Sequence, residues 1–163
     1  MAEELIVDKS LSVEEKYKLL ISQLKSLLSK EENLVSNLSN LTAALKATID
    51  KISWIGFYLF DGSKLYLGPF QGNVACTQIE IGKGVCGTSA KEHKTIIVPD
   101  VDKFPGHIAC DSGSKSEIVV PIFKKGELFG VLDVDSYQYS AFDNTDKVFL
   151  EEICKFLSTD ILV

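Results

Sequence analysis

The chain has 163 residues, 45% of them hydrophobic, which is typical of one folded domain with a sizeable core. Its formal net charge of −6 argues against a general nucleic-acid-binding surface. All seventeen basic residues are lysines, so any bound anion must be held by lysine, by backbone N–H groups or by a helix N-terminus, without arginine.

The N-terminal segment lacks the basic start and apolar stretch of a signal peptide. No apolar run approaches the roughly 20 residues of a membrane helix. These features predict a cytoplasmic protein. Because thiols stay reduced in that compartment, the four cysteines indicate redox, catalytic, metal-binding or buried roles, and not a structural disulfide framework.

The first fifty residues predict two helices. Ser12 and Glu15 form a capping box before an apolar pattern of helical period, and a second helix is expected from about 32 to 50. Neither helix carries a chemical motif. Their apolar faces predict core packing, with a dimer interface as the alternative.

From Trp54 onwards the pattern becomes that of strands. Asp61-Gly62 and Lys125-Gly126 each separate two apolar runs, so each predicts an antiparallel hairpin. The other expected elements are strands at 76–81 and 95–99, a short helix at 82–93, a polar loop at 100–115 and a helix at 144–162.

The last helix is predicted to begin after Asp143 as its cap and to bury one apolar stripe. Helices at both ends of five or six mostly antiparallel strands predict an α+β sandwich, with the short helix and the polar loop covering one sheet face and forming a pocket. The stripe consists of Val148, Phe149, Ile153, Phe156 and Leu157.

Acidic residues stand inside two of the predicted strands. Asp133 and Asp135 are two apart, so both point to one face of the sheet, and Leu132 and Val134 point to the other. Such a carboxylate pair is costly unless it is solvated or bound to a cation, and we favour a cation site over a solvated face. Glu117 begins the neighbouring strand and can lie across from the pair.

The cysteines differ in their settings. Cys110 lies in a polar loop, whereas Cys154 lies in an apolar helix and is predicted to be core. Cys86 lies at the expected N-terminus of the short helix, a position that lowers a thiol pKa. The N–H groups of Val85, Cys86 and Gly87 could hold a carboxylate there.

Two of three possible chemistries fit poorly. A zinc site could use His107, Cys110, Cys76 and Cys86, but the paired short spacing typical of structural zinc is missing. A cysteine hydrolase needs a histidine base, which normally lies far from the cysteine in sequence, and acids around the thiol would raise its pKa.

The third chemistry is thiol redox. A thiol attacks the sulfur of a sulfoxide while a carboxylic acid with a raised pKa protonates the oxygen, which leaves a sulfenic acid. A second thiol then forms a disulfide, and a dithiol reductant reopens it. Cys110, Cys86 and Glu117 could be the attacking thiol, the resolving thiol and the acid.

Three long motifs then allow a comparison with a known family. "LGPFQGNVACTQIEIGKGVCG", "VPDVDKFPGHIACDSGSKSEIVVP" and "GVLDVDS" closely resemble the free methionine-(R)-sulfoxide reductases, a family built on the GAF domain. The resemblance implies a six-stranded antiparallel sheet with helices on both faces. It also implies a single domain over 1–163, with N-terminal helices at 1–52, the sheet and active-site loops at 53–143 and a C-terminal helix at 144–163.

The resemblance also implies roles for individual residues. Cys110 would be the catalytic cysteine, Cys86 its main resolving partner and Cys76 an auxiliary cysteine. Free methionine (R)-sulfoxide would be the substrate, and thioredoxin would be the reductant. The protein would be a homodimer and would use no cofactor or metal. The substrate would be bound by Glu117, Asp133 and Asp135, with Trp54 and Tyr58 around its methyl-sulfoxide end.

The physical chemistry of a free amino acid agrees with this expectation. Asp133 or Asp135 could bind the ammonium group, and the amides of residues 85–87 could bind the carboxylate. The main alternative is a sensory GAF domain that binds a cyclic nucleotide or a tetrapyrrole. The lack of arginine argues against a nucleotide.

Overall fold

The chain forms a six-stranded antiparallel sheet, as the family resemblance implied. The computed structural model describes residues 4–163. Its helices are α1 (Val13–Leu27), α2 (Leu34–Thr48), α3 (Gly84–Glu92) and α4 (Asn144–Phe156). Its strands are β1 (Trp54–Phe60), β2 (Lys64–Gln71), β3 (Gln78–Glu80), β4 (Ile96–Val98), β5 (Ser116–Lys124) and β6 (Glu127–Ser136). They lie in the sheet in the order β3-β2-β1-β6-β5-β4.

Both predicted hairpins are present. Strands β1 and β2 pair across Asp61-Gly62, and β5 and β6 pair across Lys125-Gly126. Lys125 and Gly126 have φ angles of 52° and 82°, the left-handed pair of a type I′ turn that matches the twist of a two-residue hairpin. The turn starts the pairing, and an irregularity between Ile122 and Phe123 shifts the register by one residue, so that Glu117 lies opposite Asp135.

One face of the sheet is covered by α1, α2 and α4. The capping box of Ser12 and Glu15 starts α1, as predicted. The buried Asp146 of α4 accepts a hydrogen bond from the Tyr17 hydroxyl at 2.9 Å and pairs with Lys51 at 2.7 Å. These contacts join the two ends of the chain, so the terminal helices form one layer.

The opposite face is covered by α3 and by the loop that leads from β4 to β5. Trp54, Tyr58, Val119 and Val131 point to this side and pack with Val85 of α3. The sequence predicted this arrangement. Within residues 4–163, no helix has the length and apolar character needed to cross a membrane.

Two of the predicted elements differ from the structure. The strand expected at 76–81 is shortened to Gln78–Glu80, so Cys76 lies in irregular chain before it. The stripe expected on α4 included Val148, but Val148 is 51% exposed. Leu150 is buried there instead, three residues before Ile153 and on the same helical face. Cys154 is buried in the helix-side core, as predicted.

Candidate active site

The sheet register brings the three acidic residues together. Glu117 of β5 lies directly opposite Asp135 of β6, and Asp133 lies opposite Val119. Asp133 and Asp135 therefore share the face covered by α3, whereas Leu132 and Val134 belong to the core on the other side. The predicted convergence of three carboxyl groups is confirmed.

These carboxyl groups are withdrawn from water. Glu117 is 5% exposed and Asp133 is 7% exposed. Burial, followed by the charge of Asp135, raises the pKa of Glu117 to about 8. Burial also raises the pKa of Asp133, helped by Glu117, and that of Asp135, helped by Asp133. At neutral pH Glu117 therefore holds a proton that it could give to a bound molecule.

Helix α3 contributes Cys86 from its first turn. The Cys86 Sγ atom lies 3.9 Å from Oε1 of Glu117, within hydrogen-bonding range for sulfur. Burial and the nearby Asp133 raise the pKa of this thiol, although a helix N-terminus alone would lower it. The loss of solvation outweighs the helix dipole here, so Cys86 rests as a thiol.

Gly87 does not offer a free amide, contrary to the prediction. It is the fourth residue of α3, and its N–H donates to the Lys83 carbonyl oxygen at 3.0 Å. Only the first residues of a helix lack such a partner, so the available amides are those of Gly84, Val85 and Cys86. A side chain on Gly87 would also lie 2.3 Å from the Glu80 carbonyl oxygen.

The polar loop brings Cys110 over these acids, and we call residues 104–115 the Cys110 loop. The Asp111 carboxylate accepts a hydrogen bond from the Tyr137 hydroxyl at 2.7 Å. Ile108 packs against Gly84 at the start of α3. The loop thus closes over the site from both sides.

Cys110 forms a disulfide with Cys76, with 5.2 Å between the Cα atoms. This pairing differs from the expected bond between Cys110 and Cys86, because Cys86 remains a free, buried thiol. The reason is positional. Cys86 is fixed in helix α3 facing Glu117, whereas Cys76 and Cys110 both lie in irregular chain that can meet the geometry of a disulfide.

A small cavity of about 30 Å³ remains beneath the loop. It has room for about one or two water molecules, and not for a free amino acid. Its borders include Cys86, Cys110, Glu117, Asp133 and Asp135, which the sequence predicted, and Lys83, Ile108, Asp111 and Ser114, which it did not. The last four carry no motif of their own, and only the folded loop brings them to the cavity.

Comparisons with known proteins agree with this geometry. The GAF domain family model matches residues 32–161. The chain is 46% identical over 165 residues to the free methionine-R-sulfoxide reductase of Saccharomyces cerevisiae, covering 96% of this chain and 92% of that relative. It is 53% identical over 158 residues to "GAF domain-containing protein A" of Dictyostelium discoideum, covering 96% and 99%.

A solved structure of a reductase from the same family has the same fold as this chain. The free methionine-R-sulfoxide reductase of Neisseria meningitidis, in complex with its substrate, superposes with a TM-score of 0.88 at 42% identity, covering 95% of this chain and 94% of that one. This chain belongs to the free methionine-R-sulfoxide reductase family of GAF domain proteins.

In this member of the free methionine-R-sulfoxide reductase family, His107 lies beside the acids. Its Nε2 atom is 3.7 Å from Oε2 of Glu117. Burial lowers the pKa of His107 while that of Glu117 is raised, so at neutral pH the pair is a neutral imidazole beside a carboxylic acid. The four-ligand zinc set considered from sequence is not assembled, since Cys76 and Cys110 are bonded to each other.

The two aromatic residues implied by the family resemblance lie behind the cavity. Trp54 and Tyr58 are buried and stack with 6.1 Å between ring centroids, but neither borders the cavity. The Tyr58 hydroxyl donates to the Cys76 carbonyl oxygen at 2.9 Å, and the Trp54 indole N–H donates to that of Asn73. These contacts hold the segment that carries Cys76, a role that the sequence pattern did not indicate.

Proposed function

We propose that this protein reduces free methionine (R)-sulfoxide to methionine, with Cys110 as the attacking thiol and Cys76 as the resolving thiol. The enzyme class, an oxidoreductase, follows from family membership. One observation carries the assignment of the thiols: Cys110 borders the acid-lined cavity and also reaches Cys76, which lies outside it. No other described cysteine has both neighbours.

In the first step the Cys110 sulfur attacks the sulfoxide sulfur. The sulfoxide oxygen takes a proton, and its transfer to the enzyme leaves methionine and a sulfenic acid on Cys110. Glu117 supplies the proton, because its raised pKa of about 8 keeps it protonated at neutral pH. Cys86 is a poorer nucleophile, since its own raised pKa disfavours the thiolate.

In the second step the Cys76 thiol attacks the Cys110 sulfenic acid. Water leaves and the Cys76–Cys110 disulfide forms, so two thiols and one sulfoxide become one disulfide, one methionine and one water. A dithiol reductant then reduces the disulfide, and the family resemblance favours thioredoxin. The role of Cys86 is to face the bound substrate, and not to resolve the sulfenic acid.

The charges of a free amino acid match the two sides of the site. Asp133 and Asp135 bind the ammonium group, while the Val85 and Cys86 amides at the start of α3 bind the carboxylate, with Lys83 nearby. A methionine within a protein chain has neither charge. It would leave these polar groups unpaired, so the site favours the free amino acid.

Substrate binding requires the Cys110 loop to move away from the acids. With the disulfide closed, the cavity of about 30 Å³ is too small for an amino acid. Reduction of the disulfide must therefore precede substrate binding, and formation of the disulfide follows departure of methionine. The contact of Trp54 and Tyr58 with the methyl-sulfoxide end, and the homodimer, stay predictions.

The proposal is tested by one turnover. Fully reduced protein receives one equivalent of methionine (R)-sulfoxide, remaining thiols are alkylated in acid, and peptides are mapped by mass spectrometry. We expect one equivalent of methionine, the loss of two thiols and a disulfide between Cys76 and Cys110. The (S)-epimer is the matched control, and no thiols should be oxidised in its presence.

Two results would overturn parts of the proposal. A disulfide between Cys86 and Cys110 would restore Cys86 as the resolving thiol. Unchanged thiols with both epimers would remove the reductase activity itself. Oxidation of NADPH by thioredoxin reductase in the presence of thioredoxin, this protein and the (R)-epimer then tests the reductant, and no oxidation above the protein-free rate would exclude thioredoxin.

A further inference from the structure

A thiol and two carboxyl groups meet at the bottom of the cavity. One ligand atom from each of Cys86, Glu117 and Asp133 lies within 4.8 Å of the others, and all three side chains are buried. We propose that these residues form a binding site for Zn²⁺ and similar thiophilic divalent cations, and that the bound cation excludes the amino-acid substrate. The cation site has a different ligand set from the histidine and cysteine set considered from sequence.

The donor atoms suit zinc in kind and in number. Zinc binds thiolate sulfur and carboxylate oxygen, and zinc sites that exchange ligands use three protein groups and one water. Bonds of about 2.0–2.3 Å put tetrahedral donors roughly 3.5 Å apart, so separations of up to 4.8 Å must contract by about 1 Å to surround an ion. Side-chain rotation of Asp133 or Glu117 can provide that contraction.

Asp133 adds an independent reason to expect a ligand. Its Oδ1 atom is buried and has no hydrogen-bond partner among the described residues. An unpaired buried carboxyl oxygen costs stability, and a bound cation would remove that cost. Of the described residues that border the cavity, Lys83 alone has a permanent positive charge, and it is exposed.

The size of the cavity distinguishes the two ligands. About 30 Å³ can hold an ion with one water, whereas it cannot hold methionine. The cation site also survives disulfide formation, because Cys86 stays free while Cys76 and Cys110 are bonded. Binding replaces the thiol proton of Cys86, and any proton on the carboxyl groups, and these protons pass to the buffer.

Competition with the substrate rests on the proposed function, whereas cation binding does not. Glu117 and Asp133 serve the sulfoxide oxygen and the ammonium group in the proposed reaction. A cation held between them occupies the same positions, so the two ligands exclude each other. Free zinc would then inhibit the enzyme without any second site.

The binding experiment uses the oxidised, metal-free full-length protein, whose free thiols are Cys86 and Cys154. Co²⁺ is titrated anaerobically, and the thiolate-to-cobalt charge-transfer band is recorded before Zn²⁺ is added to displace it. We expect one equivalent of Co²⁺ with a thiolate band. Cys86→Ala should remove the band, and Asp133→Asn should weaken binding at least about 100-fold, since even outer-shell changes cost 10–100-fold.

Cys154→Ala is the matched control, because Cys154 is equally buried but lies in the opposite core. It should keep the band and the affinity of the parent. Absence of a thiolate band in the parent, or a band that persists in Cys86→Ala, would refute the cation site. An unchanged Co²⁺ affinity in Asp133→Asn would refute the cation site as well. This second test holds even if Cys86→Ala fails to fold.

Competition is measured on reduced protein by methionine formed in one turnover. One equivalent of Zn²⁺ should slow the reaction at least about tenfold at low methionine (R)-sulfoxide, and excess sulfoxide should restore the rate. An unchanged rate despite cobalt binding would refute the competition. No methionine in the zinc-free sample would instead refute the proposed function, and would leave the cobalt result standing.

Discussion

Glu117 provides a quantitative test of the buried acid cluster through protein stability. Replacing it by Gln keeps the shape of the side chain and removes its ionisation. In the folded protein the pKa of Glu117 is about 8, against an ordinary value of 4.5. Between these pH values the unfolded chain has lost a proton that the folded chain keeps, so rising pH destabilises the parent.

The size of the effect follows from linkage. Each pH unit in this window changes the free energy of unfolding by about 1.4 kcal/mol for one such group. From pH 5.5 to pH 7.5, the advantage of Glu117→Gln over the parent should therefore grow by about 3 kcal/mol. The variant also loses the hydrogen bond between Glu117 and Cys86. This loss changes the free energy of unfolding by the same amount at pH 5.5 and at pH 7.5, so it does not alter the trend with pH.

The difference in free energy of unfolding between the two proteins is measured by urea unfolding with the disulfide intact. The measurement is repeated at half-unit steps of pH. Because Glu117 helps to raise the pKa of Asp133, the comparison reports the ionisation of Glu117 together with its coupling to Asp133. Glu127→Gln is the control, because Glu127 is an exposed glutamate of the same sheet, and its difference from the parent should stay flat. A flat difference for Glu117→Gln, within about 1 kcal/mol, would show that Glu117 is ionised in the folded protein.

Three further predictions concern thiols, packing and a hydrogen bond. Cys110→Ser should form no methionine in one turnover, and appreciable methionine would move the nucleophile elsewhere. Gly87→Ala should destabilise the protein in urea by about 1–3 kcal/mol, because its Cβ would lie 2.3 Å from the Glu80 carbonyl oxygen; parent-like stability would mean that α3 can shift freely. Tyr58→Phe should cost the oxidised protein about 1 kcal/mol through the lost bond to the Cys76 carbonyl, and an unchanged urea midpoint would argue that this contact is not maintained in solution.

The acid cluster could be predicted from the sequence because strand geometry has a period of two. The spacing of Asp133 and Asp135 fixes their common face, and the turn at Lys125-Gly126 makes β5 their antiparallel neighbour. The pairing of Glu117 with Asp135 also depends on a register shift between Ile122 and Phe123. The spacing and the turn are both local signals. They suffice to place Glu117 on the strand next to the aspartates, but they do not predict the register shift, without which the turn would pair Glu117 with Val134.

The cysteine pairing could not be predicted in this way. It depends on two irregular segments, one before β3 and one after β4, whose paths no periodic pattern describes. The position of Cys86 at a helix N-terminus predicted a lowered thiol pKa, yet burial of this helix start against β5 and β6 raises the pKa instead. The Gly87 amide was wrongly predicted to be free for a simpler reason, since the helix begins one residue earlier than a free Gly87 amide requires.

Burial of the acids joins folding to the proposed reaction. Ionised side chains at Glu117, Asp133 and Asp135 would be costly to bury together, so burial raises the pKa of all three carboxyl groups. The proton that makes Glu117 tolerable in the core is the same proton that the sulfoxide oxygen needs. The ammonium group of the substrate, in turn, compensates an aspartate that loses its proton when the loop opens. Reduction of the disulfide is then the step that opens the loop and lets the substrate ammonium group replace the proton on an aspartate.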